Sequence, residues 1–78
     1  EEPLSSQDQQ LLAKLKAKRL ELAKARSVPA YVIFSDRTLE DMARQRPACL
    51  DDFRTIKGVG AKKLDSFAAH FLDVISQT

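Results

Sequence analysis

One stretch of this 78-residue chain reads as a β-strand, and nothing else in the sequence can pair with it. Residues 28–34, VPAYVIF, bring β-branched and aromatic side chains together over seven positions. A lone strand would leave its backbone N–H and C=O groups without partners, so a sheet is excluded. The stretch is instead expected as an extended connector whose apolar side chains plug a core made by helices. Two glycines and three prolines argue equally against a β-rich fold and a disordered linker. The fold class that follows is all-α: a compact bundle of about five short helices, with the extended connector after the first.

The helices follow from apolar spacing and caps. Ser6, with Gln9 three residues later, resembles a capping box, and a helix is expected over 7–26. At roughly 100° per residue, Leu11, Leu12, Leu15, Leu22 and Ala23 share one face. Arg19 and Arg26 lie on that face too; each suits a stem along the core with its guanidinium paired at the edge, or a phosphate contact. Lys14 and Lys18 fall on the solvated side. The helix stops near Ser27, because Pro29 disfavours the α conformation at Val28. Asp36 is the expected N-cap of a second helix over 37–45, burying Leu39, Met42 and Ala43 and ended by Pro47. A short helix over 50–55 turns Leu50, Phe53 and Ile56 inward, with Asp51 and Asp52 at its positive end. The last helix runs from 60 or 61 to 76 and buries Leu64, Phe67, Ala68, Phe71, Leu72 and Ile75. Residues 1–8 are a flanking linker or helix start, and 9–76 the domain.

Chemistry is scarce. His70, the single histidine, has Asp73 at i+3 but no third ligand, so no metal is expected and the ring is placed beside Phe67 at the core's border. Asp51 and Asp52 are adjacent and diverge by about 100° on a helix, too far to share a proton or an ion. No serine has a base to activate it. Neither a catalytic residue nor a cofactor is expected. Cys49 is the single cysteine, which fits a reducing compartment. No apolar run is long enough to span a bilayer, so no membrane partner is expected. With 13 basic and 11 acidic residues, the net charge of +2 neither requires nor forbids a basic patch. The chain begins with glutamate, so it is expected to be a piece of a longer protein.

Residues 55–64, TIKGVGAKKL, hold both glycines. Gly58 and Gly60 can take positive φ or admit a close backbone, letting one helix turn sharply into the next. The helix that follows then starts with unpaired N–H groups beside Lys62 and Lys63, a ready site for phosphate. A tight corner with Val59 in the core is the equally physical alternative.

The order of these features resembles an HRDC domain, the helicase-and-RNase-D C-terminal module of RecQ-type helicases and RNase D. The resemblance spans about residues 10–75. It rests on the Val28-Pro29-x-Tyr31-Val32-Ile33-Phe34 connector, the Asp36-x-Thr38-Leu39 helix start and the Gly58-Val59-Gly60 corner, taken together and in this order. Ala69-His70 departs from the family, where a glycine often follows the aromatic. The resemblance implies a module without enzymatic activity, tethered to a catalytic core. The VPAYVIF and TLEDMA matches favour an ATP-dependent DNA helicase as parent over an RNase D-like exonuclease, inside the cell in the cytoplasm, nucleoid or nucleus. It also implies weak, non-specific binding of single-stranded or branched DNA, in DNA repair and recombination. The positions matching the family's binding surface are Tyr31, Ser35, Arg37, Thr38, Lys62 and Lys63. A partly exposed Tyr31 can stack on a base, or its ring can be core with the hydroxyl at the rim. Two other readings stand beside this one. IKGVGAKKL resembles a helix–hairpin–helix motif, which grips duplex backbones through hairpin amides. Alternatively, the module docks on the helicase core of its own chain or on a partner protein, as a monomer, without useful DNA affinity.

Overall fold

The computed structural model describes residues 4–77; the first three residues of the expected flanking segment lie outside the described residues. α1, Ser6–Arg26, is long because its interior holds neither glycine nor proline and is rich in Leu, Ala, Lys and Glu. At about 1.5 Å per residue its 21 residues span the 32 Å long axis of the domain. Four shorter helices follow: α2 Ala30–Ile33, α3 Asp36–Gln45, α4 Leu50–Phe53 and α5 Ala61–Ser76. α1 is the spine against which α2, α3 and α5 all lie, and α4 leans on α5. No strand occurs among the described residues.

The extended connector is a correction. Its middle is one helical turn, α2, with Pro29 at the N-cap (φ −62°, ψ 150°) and the Val32 N–H bonded to the Pro29 carbonyl at 3.0 Å. Pro29 lacks an N–H and has the φ that a first turn needs, so it opens a turn as readily as it ends the helix before it. Pro29 before the turn and Phe34 after it are extended. The plugging function survives, because Ile33 and Phe34 are fully buried. Phe34 is the centre of the core: the rings of Phe53, Phe67 and Phe71 lie 6.4, 6.0 and 5.2 Å from it, the last two edge-on. All four phenylalanines of the chain thus meet at the residue that closes α2.

Both expected N-caps move back by one residue. Ser5 caps α1, its hydroxyl accepting from the Asp8 N–H at 3.1 Å, and Ser6 is the first helical residue. Ser35 caps α3, accepting from the Thr38 N–H at 3.2 Å, and Asp36 is its first residue. The C-termini of α1 and α3 end at Ser27 (φ 57°) and Arg46 (φ 45°), left-handed residues whose N–H groups close the last turn. Leu50 is a further correction, 49% exposed where an inward position was expected. α4 ends at Phe53, short of the expected 55, and the buried side chains are Phe53 and, just past the helix, Ile56. His70 is exposed on α5 rather than bordering the core.

Two ion pairs tie α1 to α3. Arg19 Nη1 lies 2.7 Å from Asp36 Oδ1 at the start of α3 and donates to the Phe34 carbonyl at 3.0 Å. Arg46 Nη2, just past the end of α3, lies 3.3 Å from Asp8 Oδ1. The stem-and-edge reading of Arg19 therefore holds.

Candidate nucleic-acid interface

Ser35 and Thr38 are joined by more than the cap. Thr38 is the buried polar side chain of the core, 5% exposed, and its hydroxyl donates to the Lys57 carbonyl at 3.2 Å. That uses its one proton, so the 3.0 Å contact between the two hydroxyls has Ser35 donating. The resulting relay runs from the Thr38 N–H through Ser35 Oγ and Thr38 Oγ1 to the Lys57 carbonyl. It fastens the start of α3 to the corner before α5.

Gly58 sits at that corner with φ 90°, a conformation that L side chains rarely adopt. A Cβ there would overlap Thr38 Oγ1. Gly60 differs: it is the N-cap of α5 with φ −84° and ψ 170°, and nothing lies within 4 Å of the position a Cβ would take. Of the two glycines, only Gly58 is required by conformation and by the close approach of its neighbour. Val59 between them is half-buried against the core.

Among the described residues no side chain caps α5. Lys62 in its first turn is exposed, whereas Lys63 is half-buried, its ammonium 5.7 Å from the centroid of the Phe34 ring. The cation thereby covers the residue that ends α2. Tyr31, on α2, is 71% exposed, which rules out the core reading of its ring; Val32 beside it is also exposed. Arg37 is exposed on α3, with Nε 3.7 Å from Asp41 Oδ1. Asp36, held by a hydrogen bond from Arg19 and by that residue's charge, has its carboxyl below the ordinary carboxylate value.

The structure joins Lys63 to Phe34, and Ser35 and Thr38 to the Lys57 carbonyl, so the end of α2 and the start of α3 meet the segment that leads into α5. Tyr31, Arg37, Lys62 and Ser35 are at the surface, Lys63 is at the margin, and Thr38 is beneath. The hydroxyl relay and the Lys63 contact with Phe34 were not read from the sequence, since both join segments about 19 and 29 residues apart without any local signal. Arg26 was expected either to be paired at the edge of the core or to contact phosphate; among the described residues it stands over the Phe67 ring at 4.6 Å rather than against a carboxylate. Among the described residues no group of three or more His, Cys, Asp or Glu side chains could hold a metal ion. Nor is any helix long and apolar enough to cross a membrane.

A five-helix module with a buried aromatic hub, an exposed tyrosine and a basic corner is the class the fold defines. The sequence profile of the HRDC domain matches residues 8–75. The chain belongs to the HRDC domain family. It is 36% identical over 74 residues to the ATP-dependent DNA helicase RecQ of Pasteurella multocida, covering 95% of this chain and 12% of that protein. It is 40% identical over 68 residues to the ATP-dependent DNA helicase UvrD2 of Mycobacterium tuberculosis, covering 87% of this chain and 10% of that one. Among solved structures, HRDC domain 3 of the D. radiodurans RecQ superposes with a TM-score of 0.89 at 30% identity, over 92% of this chain and 95% of its own. The chain thus spans about an eighth or less of the length of the helicases it matches.

Proposed function

We propose that this chain is a non-catalytic accessory module of a RecQ-type, ATP-dependent DNA helicase, binding single-stranded or branched DNA weakly and without sequence preference. It works as a monomer inside the cell, beside the helicase core of its own polypeptide, in DNA repair and recombination. The observation that carries this reading is the 71% exposure of Tyr31, three residues before the buried ring that Lys63 covers. A bare aromatic ring near cations suits a base stacked on the ring and phosphates held by the cations, whatever the sequence. Tyr31 is the stacking platform, while Arg37, Lys62 and Lys63 contact phosphate. Ser35 and Thr38 hold the start of α3 in position for them.

The test is a salt titration of labelled oligothymidylate binding, followed by fluorescence anisotropy. With about three phosphates neutralised, the dissociation constant should fall on the order of 10⁻⁵–10⁻⁴ M, with log affinity against log salt sloping at about −2. Tyr31→Ala should weaken binding by roughly 1–3 kcal/mol with the slope unchanged. Lys63→Ala should make the slope about 0.7 shallower. Folded variants that both bind as the wild type does would sink this reading. The helix–hairpin–helix alternative is probed at Gly60, where added bulk meets open space: loss of duplex binding in folded Gly60→Ala would favour it. The exposed Val32 beside Tyr31 supports docking on the helicase core as a second reading. Docking predicts that Tyr31→Ala is silent toward DNA but alters the activity of the full-length parent.

A further inference from the structure

Six arginines occur in the chain, and five of them face a carboxylate. Arg19 pairs with Asp36, Arg37 and Arg44 with Asp41, Arg46 with Asp8, and Arg54 with Asp51. Arg26 is the exception among the described residues. It is exposed at the end of α1, with its Cζ 4.6 Å from the Phe67 centroid and no carboxylate or backbone partner among those residues. Nor is it occupied in closing the helix. The Ala23 and Lys24 carbonyls accept from the Val28 and Ser27 N–H groups at 3.0 and 3.2 Å, and Lys24 already supplies a cation to the last turn. The Phe67 ring meets the Phe34 ring edge-on at 6.0 Å, and Lys63 covers Phe34. Two cations with no carboxylate partner among the described residues, one from the end of α1 and one from the start of α5, thus stand over neighbouring rings of a single aromatic cluster.

The geometry points to Arg26 as a phosphate-contacting residue that extends the DNA site across the seam between α1 and α5. This rests on the DNA-binding reading above. A guanidinium anchored against an aromatic ring has less freedom left to lose when it meets a phosphate oxygen, and it offers a forked set of donors that an ammonium lacks. A single strand that stacks on Tyr31 and passes Lys63 then meets a further cation at Arg26, on the ring adjacent to the one under Lys63.

The experiment is the same salt titration on the 78-residue chain with Arg26→Met and Arg26→Lys, each with its melting temperature. Methionine keeps an apolar stem against Phe67 but removes the charge. The expected result is a near-wild-type melting temperature, a slope shallower by about 0.7, and equal weakening for oligothymidylate and mixed-sequence strands. Arg26→Lys should keep the wild-type slope. If Arg26→Met lowers the melting temperature substantially, Arg26→Gln, measured well below its own melting point, gives the same readout. A wild-type slope in the neutral variants, alongside a shallower one in Lys63→Ala, would make Arg26 only a lid on Phe67 and leave the DNA reading standing. Salt-independent binding, or none, by the wild type would overturn both.

Discussion

Replacing Gly58 with alanine attacks the corner in two ways. The first is conformational: at φ 90° an L residue is strained by roughly 1–2 kcal/mol, offset by about 0.4–1 kcal/mol for a less flexible unfolded chain. The second is steric. The new Cβ would overlap Thr38 Oγ1, and Thr38 is a short, branched side chain at 5% exposure that cannot swing into solvent. Moving it breaks the bond to the Lys57 carbonyl and strands a buried hydroxyl, worth about 1–3 kcal/mol. The net loss is roughly 2–4 kcal/mol, which lowers the melting temperature of a domain this size by about 10–25 °C. Gly60→Ala, in open space at ordinary φ, should stay within about 1 kcal/mol of wild type. Thermal melts followed by circular dichroism measure all of these. The decisive variant is Thr38→Ala with Gly58→Ala: with Oγ1 gone the overlap vanishes, so the double should lose about 1 kcal/mol less than the sum of the singles, or better. Strict additivity, or a Gly58→Ala protein as stable as wild type, would refute the reasoning.

Phe71 is fully buried against Phe34, and its truncation to alanine should cost about 3–5 kcal/mol. At roughly 0.05–0.15 kcal/mol per residue the whole domain holds about 4–12 kcal/mol, so the variant should lose a large share of its stability and melt about 12–40 °C lower; a wild-type melting curve would show that the α5 face is misassigned. Asp36 gives a pH dependence. Its folded pKa lies below the ordinary 3.8, so its contribution is fully present above that value and lost as pH falls through the lower folded pKa. Melting temperatures compared from neutral pH downward should show wild type above Asp36→Asn until that window, and the two converging below it.

The three long helices were legible because apolar spacing encodes their faces: Leu11 and Leu15 on α1, Leu39 and Met42 on α3, and Phe67 and Phe71 on α5 are all buried. Cap positions were less so, since Ser5-Ser6 and Ser35-Asp36 each offer two adjacent capping residues and composition does not choose between them. α2 escaped notice for a different reason. A single turn is too short to show helical periodicity, and its Tyr, Val and Ile carry strand propensity that tertiary packing overrides. Of the two glycines, the positive φ of Gly58 and its contact with Thr38, 20 residues away, separate the required one from the permissive one, and neither shows in the local sequence. Within the candidate site the sequence pointed to the cations and the tyrosine. It carried no sign of the hydroxyl relay or of the rings beneath Arg26 and Lys63, which depend on how distant segments meet.

The two ion pairs between α1 and α3 have a consequence for how the chain finds its fold. Partly exposed pairs such as these contribute only about 0–1 kcal/mol each to the final state. Amphipathic helices, however, can slide past each other by a turn, about 5.4 Å, and still bury apolar side chains. Asp8 and Arg19 are 11 residues apart on one helix, and Asp36 and Arg46 are 10 apart along the other segment, each with the acid first, so that antiparallel packing sets opposite charges against each other. Only one antiparallel alignment satisfies both pairs at once; a one-turn slip separates both. The charges act as a vernier: they deepen the native minimum little but raise the misaligned ones beside it, widening the gap that keeps folding unique.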